Sequence, residues 1–147
     1  TLAGAHLLAD VTGYVTDESA AVDTSGLFVP LEPGRVFDTR PAEPGNGPKG
    51  FVAPEASITV QTAGVAGVPD DAAAVVLNVT ATEAPTGFIT AWPTGSDFPL
   101  ASTLNPQGGA DTRANGAILP IGAGGGIDFY AFSGAHLLAD TTGYFLG

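Results

Sequence analysis

Short runs of alternating apolar and polar residues recur along the whole chain and predict strands. In residues 57–62 (SITVQT), Ile58 and Val60 share one face, opposite Thr59 and Gln61. In residues 74–82, Val75, Leu77 and Val79 alternate with Asn78, Thr80 and Thr82. A period of two puts alternate side chains on one face of a pleated strand. Residues 87–92 (GFITAW) place Phe88, Thr90 and Trp92 together, and 117–121, 127–132 and 135–146 behave likewise. Pro120 removes a ladder donor, so its strand is expected at an edge or a bulge. Gly/Pro-rich clusters at 44–48, 68–71, 93–96 and 122–126 separate these runs. No window shows a helical period. The pattern predicts an all-β, antiparallel β-sandwich of jelly-roll or Ig-like type, with eight to ten strands after residue 27 and no obligatory helix.

One segment occurs twice. Residues 3–14 read AGAHLLADVTGY and residues 133–144 read SGAHLLADTTGY, ten of twelve identical at an offset of 130. That period is too long for a solenoid and matches one whole β-domain. Residues 1–15 are therefore expected to be the last strand of a preceding unit, or an exchanged strand. Residues 16–26 (TDESAAVDTSG) are polar and acidic and read as a linker, and residues 27–147 as one complete β-sandwich domain. A strand carrying Leu7, Leu8, Val11, Tyr14 and Val15 is an aggregation template unless something covers it. The expected cover is an upstream unit of a longer tandem chain, then a neighbouring chain through strand addition, and last an unusual place within the same domain. A head-to-tail contact that does not close builds a filament. A fainter echo relates 73–81 to 135–143, each preceded by another strand. Two related hairpins facing one another would give a pseudo-symmetric sandwich; generic resemblance between amphipathic strands is the alternative.

Composition narrows the class. Of 147 residues 44% are hydrophobic and 13% charged, which fits a packed body rather than a disordered chain. The net charge of −11 rests on only four basic residues, Arg35, Arg40, Lys49 and Arg113. Such a surface repels phosphate backbones and anionic lipid, arguing against nucleic-acid or membrane-surface partners. No apolar run approaches the ~18 residues of a membrane span. Cysteine and methionine are both absent. A chain without oxidisable sulfur suits an extracellular setting, and it excludes disulfides and thiolate metal sites. The N-terminus lacks a charged-then-apolar signal pattern, so the expectation is that a signal was removed or that the chain is an excerpt.

Candidate chemistry is sparse. His6 and His136 occupy one position of the repeated segment, and no G-x-S-x-G, H-E-x-x-H or P-loop pattern occurs. No catalytic residue, metal site or cofactor is assigned. Asp-Thr-Arg occurs twice, so Asp38, Arg40, Asp111 and Arg113 are either ligand-binding or turn-anchoring ion pairs. Trp92, the only tryptophan, is either a sugar-stacking platform or a core or contact residue. The Gly-rich stretch 123–128 and the Asp70-Asp71 pair lack regular calcium-ligand spacing and read as turns.

Several of these segments together resemble a known module. They are VFDTRP (36–41), VAGVPDDAAAVVLNVTATEAPTGFITAWPTG (65–95), STLNPQGG (102–109), RANGAILPIGAGGGIDFYAFSGAHLLAD (113–140) and the closing TGYF (142–145). The chain resembles the Gly-Tyr-Phe-ending all-β repeat domain of secreted and cell-surface proteins of high-GC Gram-positive bacteria, over nearly all of residues 35–146. The resemblance implies an extracellular location and an attachment or surface module, found singly, in tandem or beside hydrolytic domains; it supplies no catalytic residues. The expected function is a non-enzymatic structural or adhesive module that associates with neighbouring copies of itself. A carbohydrate-binding module targeting a wall polysaccharide is the main alternative, and a two-carboxylate hydrolase a distant third.

Overall fold

The computed structural model describes residue 4 and residues 6–147. The expected terminal strand over 1–15 therefore falls partly outside the described residues, at 1–3 and 5. Seven strands form the body: β1 (Phe28–Asp38), β2 (Ala56–Gln61), β3 (Ala72–Ala84), β4 (Ile89–Pro93), β5 (Asp111–Pro120), β6 (Gly126–Ala131) and β7 (His136–Leu146). A single 3₁₀ turn, Ala123–Gly125, is the one helical element among the described residues. Two sheets result, a four-stranded one in the order β1-β7-β3-β5 and a three-stranded one in the order β2-β6-β4. All pairings within them are antiparallel. The protein is an antiparallel β-sandwich.

No two consecutive strands are neighbours, so every connection crosses from one sheet to the other. An Ig-like sandwich begins with sheet-mates in sequence. Here the connectivity is that of a jelly roll with one strand missing from the smaller sheet. Loop 94–110 lies in that strand's place, and its Leu104 forms a lone antiparallel bridge to Ile89. This explains seven strands where eight to ten were expected. The loop is punctuated by Pro99, Pro106, Gly108 and Gly109, which prevent a continuous ladder.

The echo between 73–81 and 135–143 falls on β3 and β7, with Leu77 opposite Thr141. The facing hairpins, one of the two readings of that echo, are not formed. β2–β3 and β6–β7 are crossovers between the sheets, and the related strands lie side by side, β2 against β6 and β3 against β7.

Alternation fills the space between the sheets as the sequence pattern requires. Val75, Leu77, Val79 and Ala81 of β3 point inward with Val60, Ile127, Phe129, Leu137 and Ala139, all buried. Phe37 and Phe129 meet across the sandwich at 4.8 Å between ring centroids. β5 is an open edge, largely exposed, and Pro120 is its last residue. Because Phe129 is fully buried, Phe129→Ala is expected to remove about 3–5 kcal/mol of stability, measured by urea denaturation.

Candidate functional site

β7 is the central strand on which the two distinctive sequence signatures converge. It pairs with β1 on one side and β3 on the other, from Leu138 opposite Asp38 to Phe145 opposite Phe28. The segment 35–40 holds its first half. The Thr39 amide donates to the Leu137 carbonyl at 2.9 Å, and the Leu137 amide donates to Thr39 Oγ1 at 2.9 Å. Thr39 Oγ1 also lies 3.2 Å from His136 Nδ1, and Phe51 packs edge-on against that imidazole at 5.4 Å. Arg35 donates to Asp140 through Nε and to Asp38 through Nη1. Arg40 donates to Asp38 from its amide at 2.9 Å and from Nη2 at 2.6 Å, and Lys49 Nζ donates to the Asp38 carbonyl at 2.7 Å.

Asp38 is fully buried, and three of the four basic residues surround it. Burial alone would raise its pKa. The Arg40 side-chain and backbone bonds, with the charges of Arg40 and Arg35, outweigh that and hold the carboxyl below its ordinary value. A folded-state pKa below the unfolded one contributes stability above the unfolded pKa, and that stability is lost as pH falls through the folded pKa.

Two glycines complete the β7 site. A Cβ on Gly143 would stand 2.7 Å from the Val29 carbonyl oxygen, and one on Gly134 would stand 2.9 Å from the Val52 carbonyl oxygen. Gly134 also has a φ of +79°, which other residues rarely adopt.

The leading segment repeats this specification while touching none of it. Residues 6–15 form no strand, and Leu7, Leu8, Val11, Tyr14 and Val15 are each 89–97% exposed. Yet His6, Leu7, Leu8, Ala9 and Asp10 match His136 through Asp140, Gly13 matches Gly143, and Tyr14 matches Tyr144. Gly4 matches Gly134 even in conformation, with a φ of +76°. Nothing lies within 4 Å of where a Cβ on Gly4 or Gly13 would be. Gly13 answers no local constraint and Gly4 none beyond its own positive φ; both fit the surroundings of β7. Three departures weaken the copy, one of them Thr16 in the place of Leu146 at the strand's end. Val11 replaces Thr141, whose Oγ1 donates to the Val76 carbonyl at 3.2 Å, and Val15 replaces Phe145, which packs on Phe28 at 5.4 Å. Asp10, Val11 and Thr12 lie over a groove lined by Trp92, Ala101, Asn115 and Ile118, but Val11 stays exposed there.

The other candidate residues separate. Asp111 and Arg113 pair at 2.7 Å at the start of β5, on the opposite edge of the sheet from Asp38 and Arg40. The Arg113 bond is the main cause of a lowered Asp111 pKa. The two Asp-Thr-Arg segments thus do not form one site. Trp92 is 9% exposed and packs edge-on against Phe98 at 5.2 Å. Phe98 meets Tyr130 at 5.1 Å, and Phe88 stacks on Phe132 at 4.9 Å. This gives an aromatic cluster beside the smaller sheet in which Phe98 and Phe132, not Trp92, are the open rings. Sequence reasoning missed Lys49, Thr39 and Phe98. The first two act on partners about 10 and 100 residues away, which no spacing reveals, and Phe98 lies in a loop without periodicity.

Among the described residues no cluster of three or more His, Asp or Glu is placed to hold a metal. No helix among them is long and apolar enough to cross a membrane. Compared with known protein families, curated proteins and solved structures, the chain matches none.

Removing the Asp38 charge leaves Arg35 and Arg40 without their shared acceptor. Asp38→Asn is expected to cost about 2–4 kcal/mol at pH 7, toward the lower end for a broken buried pair because both guanidinium groups are partly solvated. The difference from the parent protein should begin to shrink below about pH 4, where the carboxyl of the unfolded chain takes up its proton, and close as the pH falls through the lowered folded-state pKa of Asp38. Urea denaturation at pH 7 and pH 3 measures both.

Proposed function

We propose that the protein is an extracellular structural or adhesive module that associates with neighbouring copies, its leading segment serving as a β7 strand in an adjoining unit. One observation carries this reading: residues 6–15 are unpartnered yet keep His6, Asp10 and Gly13, whose counterparts are constrained only by the β7 surroundings. An adjoining unit whose place between β1 and β3 is vacant offers the segment two strand edges, an Arg35-type cation for Asp10 and a Thr39-type clamp for His6 and Leu7. Backbone pairing supplies affinity in strand addition, and the alternating side chains supply specificity. Repeated along a tandem chain, or between chains, the contact is head-to-tail and open-ended. The many surface carboxylates keep such an array soluble. No catalytic step is part of this reading.

The test is association of the full chain. Sedimentation velocity over a concentration series should show self-association that is lost on deleting residues 1–15. The body should keep its unfolding midpoint after the deletion, because residues 6–15 contribute no strand to it. Association unchanged by the deletion refutes the reading.

The aromatic cluster favours a second reading, a carbohydrate-binding module for a wall polysaccharide. Open Phe98 and Phe132 rings could stack against sugar faces. Trp92 touches Phe98 and so reports on that face. Under this reading soluble β-glucans or wall glycans change Trp92 fluorescence saturably, and Phe98→Ala abolishes the change; no change with any glycan removes it.

A further inference from the structure

The geometry points to a second occupant for the slot between β1 and β3 within a single chain: the leading segment can replace β7 in its own domain. This rests on reading residues 4–15 as a β7-type strand, and adds that the receiving slot need not belong to another unit.

Connection length permits it. β7 ends beside the start of β1, where the Leu146 amide donates to the Leu27 carbonyl at 3.0 Å and the Gly26 amide donates to the Leu146 carbonyl at 2.8 Å. At the offset of 130, Thr16 takes the place of Leu146 and Val15 that of Phe145. The leading segment would then run antiparallel into β1 through a loop of residues 17–26. Ten residues reach far beyond the roughly 5 Å between adjacent strands. That loop already carries turns: Asp17 Oδ1 accepts from the Ser19 amide at 2.9 Å, and Asp23 Oδ1 accepts from the Ser25 amide.

Chemistry permits it as well. Leu7 and Ala9 would enter the positions of Leu137 and Ala139, both fully buried, and Asp10 would meet Arg35 as Asp140 does. Gly13 would pass the Val29 carbonyl without a Cβ. The losses at Val11 and Val15 explain why the C-terminal copy holds the slot. The chain is thus a permutable fold, with two candidate strands and one place, and occupation by the first releases the last. In a tandem array each β7 strand lies between two such slots, one before it and one after.

The experiment compares Leu137→Asp, Leu7→Asp and the double variant in the full chain. Leu137→Asp places a carboxylate in the core, so it should eject the C-terminal strand and admit the leading one. The inference expects this variant to remain a folded monomer with a lowered midpoint independent of concentration. Limited proteolysis read by mass spectrometry should show residues 133–147 newly cleaved and residues 6–15 newly protected. Leu7→Asp alone should keep the parent's unfolding midpoint in dilute solution, because Leu7 is 89% exposed, while losing association between units, and the double variant should be unfolded. Leu137→Asp that folds only as a concentration-dependent oligomer overturns the single-chain exchange while leaving association between units standing. Leu137→Asp unfolded at every concentration, or folded equally well with and without Leu7→Asp, overturns the inference outright.

Discussion

A strand in the middle of a sheet needs backbone partners on both sides, and here that strand is β7. Its donors and acceptors are shared between β1 and β3, and without it the four-stranded sheet would split into a lone strand and a pair. The larger sheet, one wall of the core, depends on that occupancy. The protein surrounds the strand with its scarcest residues: three of its four cations converge on Asp38, and one of these, Arg35, also binds Asp140 of β7. A buried carboxylate with two guanidinium partners is costly to break and specific in geometry, which suits a register-setting role.

A second segment of the same specification, residues 6–15, lies unpaired ahead of the body, and the proposed function rests on it. The exposed Leu7, Leu8, Val11 and Val15 are an unguarded apolar stretch, not paired in any sheet, on an otherwise acidic surface. Natural sheets protect such edges with charge, bulges or cover. Here the segment instead keeps the residues that a β7 slot requires, and the proposed association with an adjoining unit would supply the missing cover. The aromatic cluster is a separate surface, on the other sheet, and its chemistry is independent of the strand.

Much of the sandwich could be read from side-chain alternation. The run 57–62 became β2 (Ala56–Gln61), 74–82 lies within β3, and 127–132 overlaps β6. β5 was legible only from residue 117, because its first half, DTRANG, is an exposed edge that buries neither face and so need not alternate. β1 is interrupted by Pro30, Pro33 and Gly34, and its ladder to β7 breaks register between Pro30 and Gly34. Strand order was not legible, since every neighbouring pair is distant in sequence. The repeat announced the β7-type segment, whereas the clamp did not announce itself: VFDTR and HLLAD are each visible, but Thr39 meets Leu137 only after the chain has crossed between the sheets several times. Trp92 drew notice for its rarity, and the loop that covers it had no pattern to mark Phe98.

The central claim is that the leading segment is a strand awaiting a slot, and amide hydrogen exchange of the unmodified chain tests it most directly. In dilute solution residues 6–15 should exchange at the rate of an unpaired peptide while β7 is protected. On raising the concentration into the associating range, protection should appear at successive amides of residues 6–15, as in a strand paired on both sides. Exchange at the unpaired rate across the whole range, in a chain that nonetheless associates, would contradict the account.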